Sequence, residues 1–239
     1  MRIEQQPAYI LHSRAYRETS LLLECFTRDH GRIGVVARGV RRERSRTPRA
    51  LLQPLVPIEL SWSGSGELAT LIGVESAAAS PPLVGEALLC GLYLNELLLR
   101  MTQRHDPHAE LFAAYARAVE RLADAQPSAW TLRRFERDLL DRLGYGVNVA
   151  IDASSGVALD PAADYGYRRE LGTVPWRSAA DGPRIKGAAL LALARDQMPP
   201  ESDWGSLRRW MRHVIAGHLE GGELKSWKLL GAIPLRRGD

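Results

Sequence analysis

The chain reads as an α+β protein: an N-terminal five-stranded β-barrel followed by an α-helical domain. Three observations predict this. Residues 8–75 hold five short runs rich in leucine and β-branched residues, divided by glycine and proline. The character of the sequence changes at Ala77-Ala78-Ala79-Ser80-Pro81-Pro82. Beyond that break, apolar residues recur at helical spacing.

The predicted strands cover 8–13, 19–27, 31–38, 53–62 and 67–75. Val56, Ile58, Leu60 and Trp62 fall on one face of the fourth. Leu68, Ile72 and Val74, with Thr70 between them, fall on one face of the fifth. Gly31, Gly39, Pro48, Gly64 and Gly66 mark the gaps, and Ser63-Gly64-Ser65-Gly66 reads as a hairpin turn. Five short strands in so few residues suggest a small barrel of the oligonucleotide-binding (OB) kind over residues 1–80. An SH3-like barrel or a simple meander stands as the alternative.

Residues 81–239 read as helical. The run 84–104 is apolar nearly all round, which suits the central member of a bundle. A second helix is expected over 108–125. Ser128 is placed to cap a third that runs to about Leu143 and stops at Gly144-Tyr145-Gly146. Residues 144–183, rich in Gly, Asp, Pro and Ser, read as one long loop, which is unusual inside a compact domain. Helices resume at 186–196, 203–219 and 225–231.

Composition bounds the function. The chain has 239 residues, 45% hydrophobic and 25% charged, and a net charge of only +4. This is the profile of an ordinary soluble globular protein whose basicity is local. Cys25 and Cys90 lie far apart without ligand spacing and read as buried small residues in a reducing compartment. The first residues are polar and lack the apolar core of a secretory leader, and the stretch 83–99 carries Glu86, Asn95 and Glu96. A cytoplasmic protein, with no membrane partner, is expected.

The local charge is concentrated between two strands. From Arg38 to Arg49, six of twelve residues are arginine and only Glu43 opposes them. Guanidinium forks onto phosphate oxygens, so a polyanion is the natural partner. The bland alternative is a solvated loop that serves solubility. Nucleic acid is the commonest polyanion, and its candidate contacts are Arg14 and Arg17 in the first loop, Arg32 and Arg38 beside the third strand, and Arg41, Arg42, Arg44, Arg46 and Arg49 beyond it. Tyr16, flanked by Arg14 and Arg17, is the one candidate for base stacking, although burial or an idle surface position suits it better.

Signals for catalysis are poor, and no enzyme activity is expected. His105 and His108 flank Asp106 without a third ligand, and His213 and His218 are five apart on a helix. Asp152, Asp160 and Asp164 fit no calcium loop, and Ser154-Ser155-Gly156 lacks the setting of a nucleophile elbow. There is no phosphate-binding GxxxxGK[ST] sequence. No metal and no cofactor are expected.

Several segments together carry a family resemblance. YILHSRAYRETSLLLECFTRDHGRIGVVARGVRR at the N-terminus, LLCGLYLNELLLR at 88–100 and LRRFERDLLDRLGYGVN at 132–148 resemble the bacterial RecO recombination mediators in order and spacing. The resemblance implies an OB-fold domain followed by a helical domain. It also implies binding to single- and double-stranded DNA and annealing of complementary strands. With RecR, it implies loading of RecA onto DNA coated by single-stranded-DNA-binding protein (SSB), in recombinational DNA repair near the nucleoid. Many members carry a four-cysteine zinc module after the LGYG motif. This chain departs from that pattern, since 144–183 contains neither cysteine nor histidine. The loop is instead expected to hold itself by hydrogen bonds and by Tyr145, Tyr165, Tyr167 and Trp176. The resemblance further implies a helical-domain pocket for the acidic SSB tail, with Arg133 at the matching position. Lys225 is a second cation for that pocket, and Leu132, Leu139 and Leu140 are its apolar lining. The plain alternative is that Arg133, Arg134 and Arg137 form a solvated helix face. The rival functions are an OB-fold RNA-binding factor, a metal-dependent nuclease using Asp160, and a scaffold for an acidic protein.

Overall fold

The computed structural model describes residues 1–43, 45, 47–64, 66–78, 82–145, 147–220 and 222–231. Five strands form a closed barrel: β1 (Arg2–Tyr16), β2 (Ser20–Thr27), β3 (Gly31–Ala37), β4 (Pro57–Ser63) and β5 (Leu68–Ser76), in the order β1-β2-β3-β5-β4. All neighbours are antiparallel except β3 and β5, and β4 closes the barrel on β1. This is the predicted α+β architecture, and closure leaves no sheet edge open.

The period-2 pattern explains the interior. Ile10, Leu23, Cys25, Ile33, Val35, Ile58, Leu60 and Trp62 point inward and are buried. β1 starts earlier than its sequence suggests because it bends around two neighbours. Its register shifts between Ile3 and Gln6, where Gln5 has φ 50°, and again between Ile10 and His12. Such bulges coil a strand enough to close a small barrel. β4 starts later than expected, because Pro54 and Leu55 (φ 70°) make a turn first.

β5 departs from the predicted face. Its partners on β4 skip from Gly73 to Leu71, leaving Ile72 as an extra residue. Leu68 and Ile72 therefore face solvent, while Ala69, Leu71 and Val74 pack on the barrel core. A bulge shifts alternation by one residue, and no periodicity reading anticipates that.

The helical part contains α1 (Gly85–Met101), α2 (Ala109–Ala123), α3 (Ser128–Arg142), α4 (Gly187–Ala194), α5 (Trp204–His218) and α6 (Lys225–Gly231). α1 is central as expected: it packs against α2, α3, α6 and β1. The barrel's outer residues Tyr9, Leu11 and Phe26 belong to the helical core, with Tyr9 and Phe26 set against Phe112 and Tyr115. That is why residues 8–11 form an unbroken apolar run: both faces of β1 are buried there. Both cysteines are buried. Burial, reinforced by the Glu86 carboxylate, pushes the Cys90 thiol up to about 12. Among the described residues no helix is long and apolar enough to cross a membrane.

The expectation of one long loop without strands over 144–183 is corrected. Strands β6 (Asp164–Arg168), β7 (Gly172–Pro175) and β8 (Ile185–Lys186) form a three-stranded sheet ordered β7-β6-β8. The strands are too short, and too rich in Gly and Asp, to show periodicity. Side-chain bonds to backbone organise them. Asp152 accepts from the backbone and hydroxyl of Ser154 and from the Ser155 hydroxyl. Asp181, fully buried, accepts from the Arg177 and Ser178 backbone and from Arg168 Nε. The expected aromatics also contribute: Tyr165 donates to none of these but receives the Asp160 N–H on its hydroxyl, Trp176 donates to the Gly182 carbonyl, and Tyr167 packs on Trp210.

Candidate nucleic-acid interface

The β1–β2 turn and the segment after β3 meet at one end of the barrel. Arg17 sits in the left-handed region at φ 53°, which tightens the turn, and Gly39 at φ 69° lets the chain fold back after β3. The two loops are then joined by backbone. Arg41 N donates across them to the Thr19 carbonyl at 3.0 Å, and Arg42 N, within the second loop, to the Gly39 carbonyl at 3.1 Å. Together with β5 they enclose a cleft of about 620 Å³, bordered by Tyr16, Arg17, Arg38, Arg42, Val36, Leu68 and Thr70.

The cleft is cationic. Arg17, Arg38 and Arg42 are exposed and form no ion pair among the described residues, and Glu18 is the single acid on its rim. The Arg17 guanidinium lies 5.3 Å from the Tyr16 ring centroid, which holds both side chains at the rim. Leu68 and Val36 give the lining apolar surface, and Thr70 an uncharged hydroxyl. Such a site suits a phosphate backbone along its rim and offers few groups to read base edges.

The predicted arginines part company here. Arg17, Arg38 and Arg42 converge on the cleft. The Arg41 guanidinium turns back toward the Arg17 carbonyl, 3.5 Å away. Arg49 opens the 3-10 turn Arg49–Leu52 and does not border the cleft. Arg44 and Arg46 lie outside the described residues. Arg14 lies on the neighbouring surface of the barrel, bordering a second cleft.

Arg32 is placed differently from expectation. Its guanidinium donates to the carbonyls of Leu99 and Thr102 at the C-terminal end of α1, both at 3.0 Å. Its own carbonyl accepts from His105 N. Arg104 reaches back across the junction and binds Glu24 through Nε (3.0 Å) and a terminal nitrogen (2.5 Å). Gly31 lies so close that a Cβ there would stand 2.1 Å from the Asp106 carbonyl oxygen. The barrel is therefore fixed to the helices by a small polar cluster that sequence reading missed. The arginine at position 104 follows a helix end and sits in no motif.

The predicted tail pocket is not formed as expected. Leu132, Leu139 and Leu140 are fully buried in the helical core and line no groove. Arg133 is only 4% exposed and forms an ion pair with Glu136, itself fully buried. Tyr93 Oη donates to the same carboxylate at 2.6 Å. Burial pushes the Glu136 carboxyl up, against the opposing pull of Arg133 and Tyr93. The signal for this was present: opposite charges at i and i+3 share a helix face. Lys225 alone of the set is exposed. Its backbone N–H, with the backbone and hydroxyl of Ser226, donates to Glu96 and ties α6 to α1.

Two histidine readings also resolve. His108 pairs with Asp106 at the surface. His213 and His218, five apart on α5, both meet Tyr167: His213 Nε2 lies 3.3 Å from its carbonyl oxygen and His218 Nε2 2.7 Å from its hydroxyl. No group of three His, Cys, Asp or Glu side chains suited to a metal occurs among the described residues.

Comparison with known proteins bears on the whole chain. Residues 1–79 match the model for the Recombination protein O N terminal family, and residues 83–228 match that for Recombination protein O C terminal. A protein of Stenotrophomonas maltophilia strain K279a named DNA repair protein RecO is 48% identical over 240 residues, spanning 99% of this chain and 100% of the relative. Its namesake from Xanthomonas campestris pv. campestris strain B100 is 47% identical over 245 residues, spanning all of both chains. With both family models matched in order and relatives aligned end to end, the chain belongs to the RecO (recombination protein O) family.

Proposed function

We propose that this protein acts in DNA repair and recombination, as its relatives' name indicates, by gripping the phosphate backbone of DNA strands in the barrel-end cleft. The observation that supports the reading is the convergence of Arg17, Arg38 and Arg42, without ion-pair partners among the described residues, on a cleft whose loops are fixed by backbone hydrogen bonds. Fixed loops present those charges without much ordering cost on binding. With about three phosphates engaged, the single-strand salt slope is about −2, and affinity falls about 20-fold between about 50 and 200 mM salt. Double-stranded DNA meets the same rim charges through its backbone.

Contacts limited to phosphate leave base edges free. Two strands held this way have their mutual repulsion reduced while their bases remain able to pair, so annealing follows from the same geometry. The mediator role extends this: cooperation with RecR, contact with the SSB tail and loading of RecA onto SSB-coated single strands. Arg133 and the three core leucines do not present a surface for the tail in this structure, so the exposed Lys225 region is the part of that site that remains. No step in this function requires turnover by the protein.

The test is annealing of complementary oligonucleotides, naked and SSB-coated, across a salt series. Acceleration that survives the SSB coat supports the mediator reading. Acceleration on naked strands alone leaves a cationic DNA binder. Tighter binding to structured RNA than to single-stranded DNA would replace the reading with an RNA-binding one.

A further inference from the structure

A second cleft, about 480 Å³ in volume, opens where the barrel meets the helices. We propose that it is a phosphate subsite for the same bound strand, and that Glu24 sits in it as an internal competitor holding Arg104 off the phosphate. This rests on the DNA-binding reading of the first cleft and extends it across the junction.

Position comes first. His12 and Arg14 on β1, Leu22 and Glu24 on β2, Arg32 on β3, and Leu99 and Arg104 beyond it border this cleft. It neighbours the first on the barrel surface. Arg14 pairs with Leu22 and Leu22 with Val36, and Val36 borders the first cleft. Arg14 and Tyr16 point out of the same face of β1, two residues or about 7 Å apart. A strand lying along this face passes from one cleft into the other.

Charge comes second. Three arginines face one carboxylate, a surplus of two positive charges in a recessed site. Arg32 is consumed by the α1 carbonyls. Arg14 is exposed and forms no ion pair among the described residues. Arg104 is engaged, but by a group that a phosphate resembles: the Glu24 carboxylate takes its guanidinium fork side-on. Glu24 is fixed from the other side by Arg32, 3.5 Å away, and its side chain is 13% exposed. The carboxylate thus fills a phosphate's place beside Arg104 and opposes any anion that approaches.

Glu24→Gln keeps an acceptor for Arg104 and removes the charge. Single-strand affinity should rise about threefold or more at about 50 mM salt, with the salt slope steeper by about 0.7. The gain should vanish in the Glu24→Gln, Arg104→Ala double variant. Arg14→Ala removes a side chain with no ion pair among the described residues, so folding is spared; it should weaken binding and flatten the slope by about 0.7. Inorganic phosphate, at matched ionic strength, should displace the oligonucleotide no better than chloride. The proposal is overturned if a normally melting Glu24→Gln protein binds no tighter than the parent, or if its gain persists without Arg104. Should Glu24→Gln fail to fold, unchanged affinity and slope in Arg14→Ala overturn it. Selective displacement by phosphate would make the cleft a free-oxyanion pocket and also overturn it. Arg38→Ala, Arg42→Ala separates the two levels: if that variant binds normally, the broader reading fails, whereas weakened binding there with no gain from Glu24→Gln sinks the junction site alone.

Discussion

The Arg32 guanidinium on β3 donates to the Thr102 carbonyl, 3.0 Å away and 70 residues on, at the point where α1 ends. The last carbonyls of a helix have no partner within it and carry partial negative charge. Arg32 satisfies two of them, those of Leu99 and Thr102, and so joins the barrel to the helices. A residue expected to grip DNA is instead part of the scaffold that orients the two cationic clefts.

Arg32→Ala should therefore act on stability. Charge-assisted bonds to two carbonyls are lost from a largely buried site, at a cost of about 2–3 kcal/mol. Chemical denaturation would read this as a lower midpoint. The affinity of the folded fraction for single-stranded DNA should change far less than in the Arg38→Ala, Arg42→Ala variant. A tenfold loss of affinity with normal stability would return Arg32 to the DNA contacts.

Arg38→Ala, Arg42→Ala should show the opposite pattern. Both side chains are exposed at the cleft rim without ion-pair partners among the described residues, so melting should barely move. Binding should weaken irrespective of DNA sequence, and the salt slope should flatten by about 1.4. Fluorescence anisotropy across a salt series measures both. An unchanged slope would place the phosphate contacts elsewhere.

The difference between these arginines marks what was legible in the sequence. Strand and helix positions followed from period and punctuation, because Ile58, Leu60 and Trp62, or Tyr93, Leu97 and Met101, repeat at the spacing of their element. The density of arginine after β3 located the cationic end of the barrel. What could not be read was direction. Arg32 and Arg38 flank the same strand, yet one finds a helix end and the other solvent, and only the docking of α1 decides which. The sheet over 164–186 was hidden for another reason: Asp152 and Asp181 organise it through local bonds to backbone, which leave no hydrophobic period. The Ile72 bulge reversed part of β5 in the same silent way.

Arg133→Ala should destabilise the helical core. It would leave the Glu136 carboxylate buried without its cation, with only Tyr93 as a donor. Removing one partner of a buried pair costs about 3–5 kcal/mol. Replacing both, as Arg133→Met with Glu136→Leu, should recover most of that loss. Any drop in SSB-tail binding by Arg133→Ala should then be recovered by the double variant too. If the double variant is stable and still fails to bind the tail, Arg133 contributes to recognition directly.

His218 should make the docking of the three-stranded sheet sensitive to acid. Its ring lies between Tyr145, 4.3 Å away by centroid, and the Tyr167 hydroxyl on β6. Burial, with a smaller contribution from Arg169, holds its pKa below the ordinary value of about 6.5. The folded state thus binds fewer protons than the unfolded one around pH 6. Stability from this residue is present above about pH 6.5 and is lost as pH falls toward the folded pKa. Below that range the charged ring sits half-buried beside Arg169, and the contact between β6 and α5 weakens. Amide hydrogen exchange should show faster opening of residues 164–168 at about pH 5.5 than at about pH 7.5, after correction for the intrinsic rate. In His218→Gln, which keeps a polar side chain but does not titrate, that difference should shrink. Equal pH dependence in the variant would rule out His218 as its source.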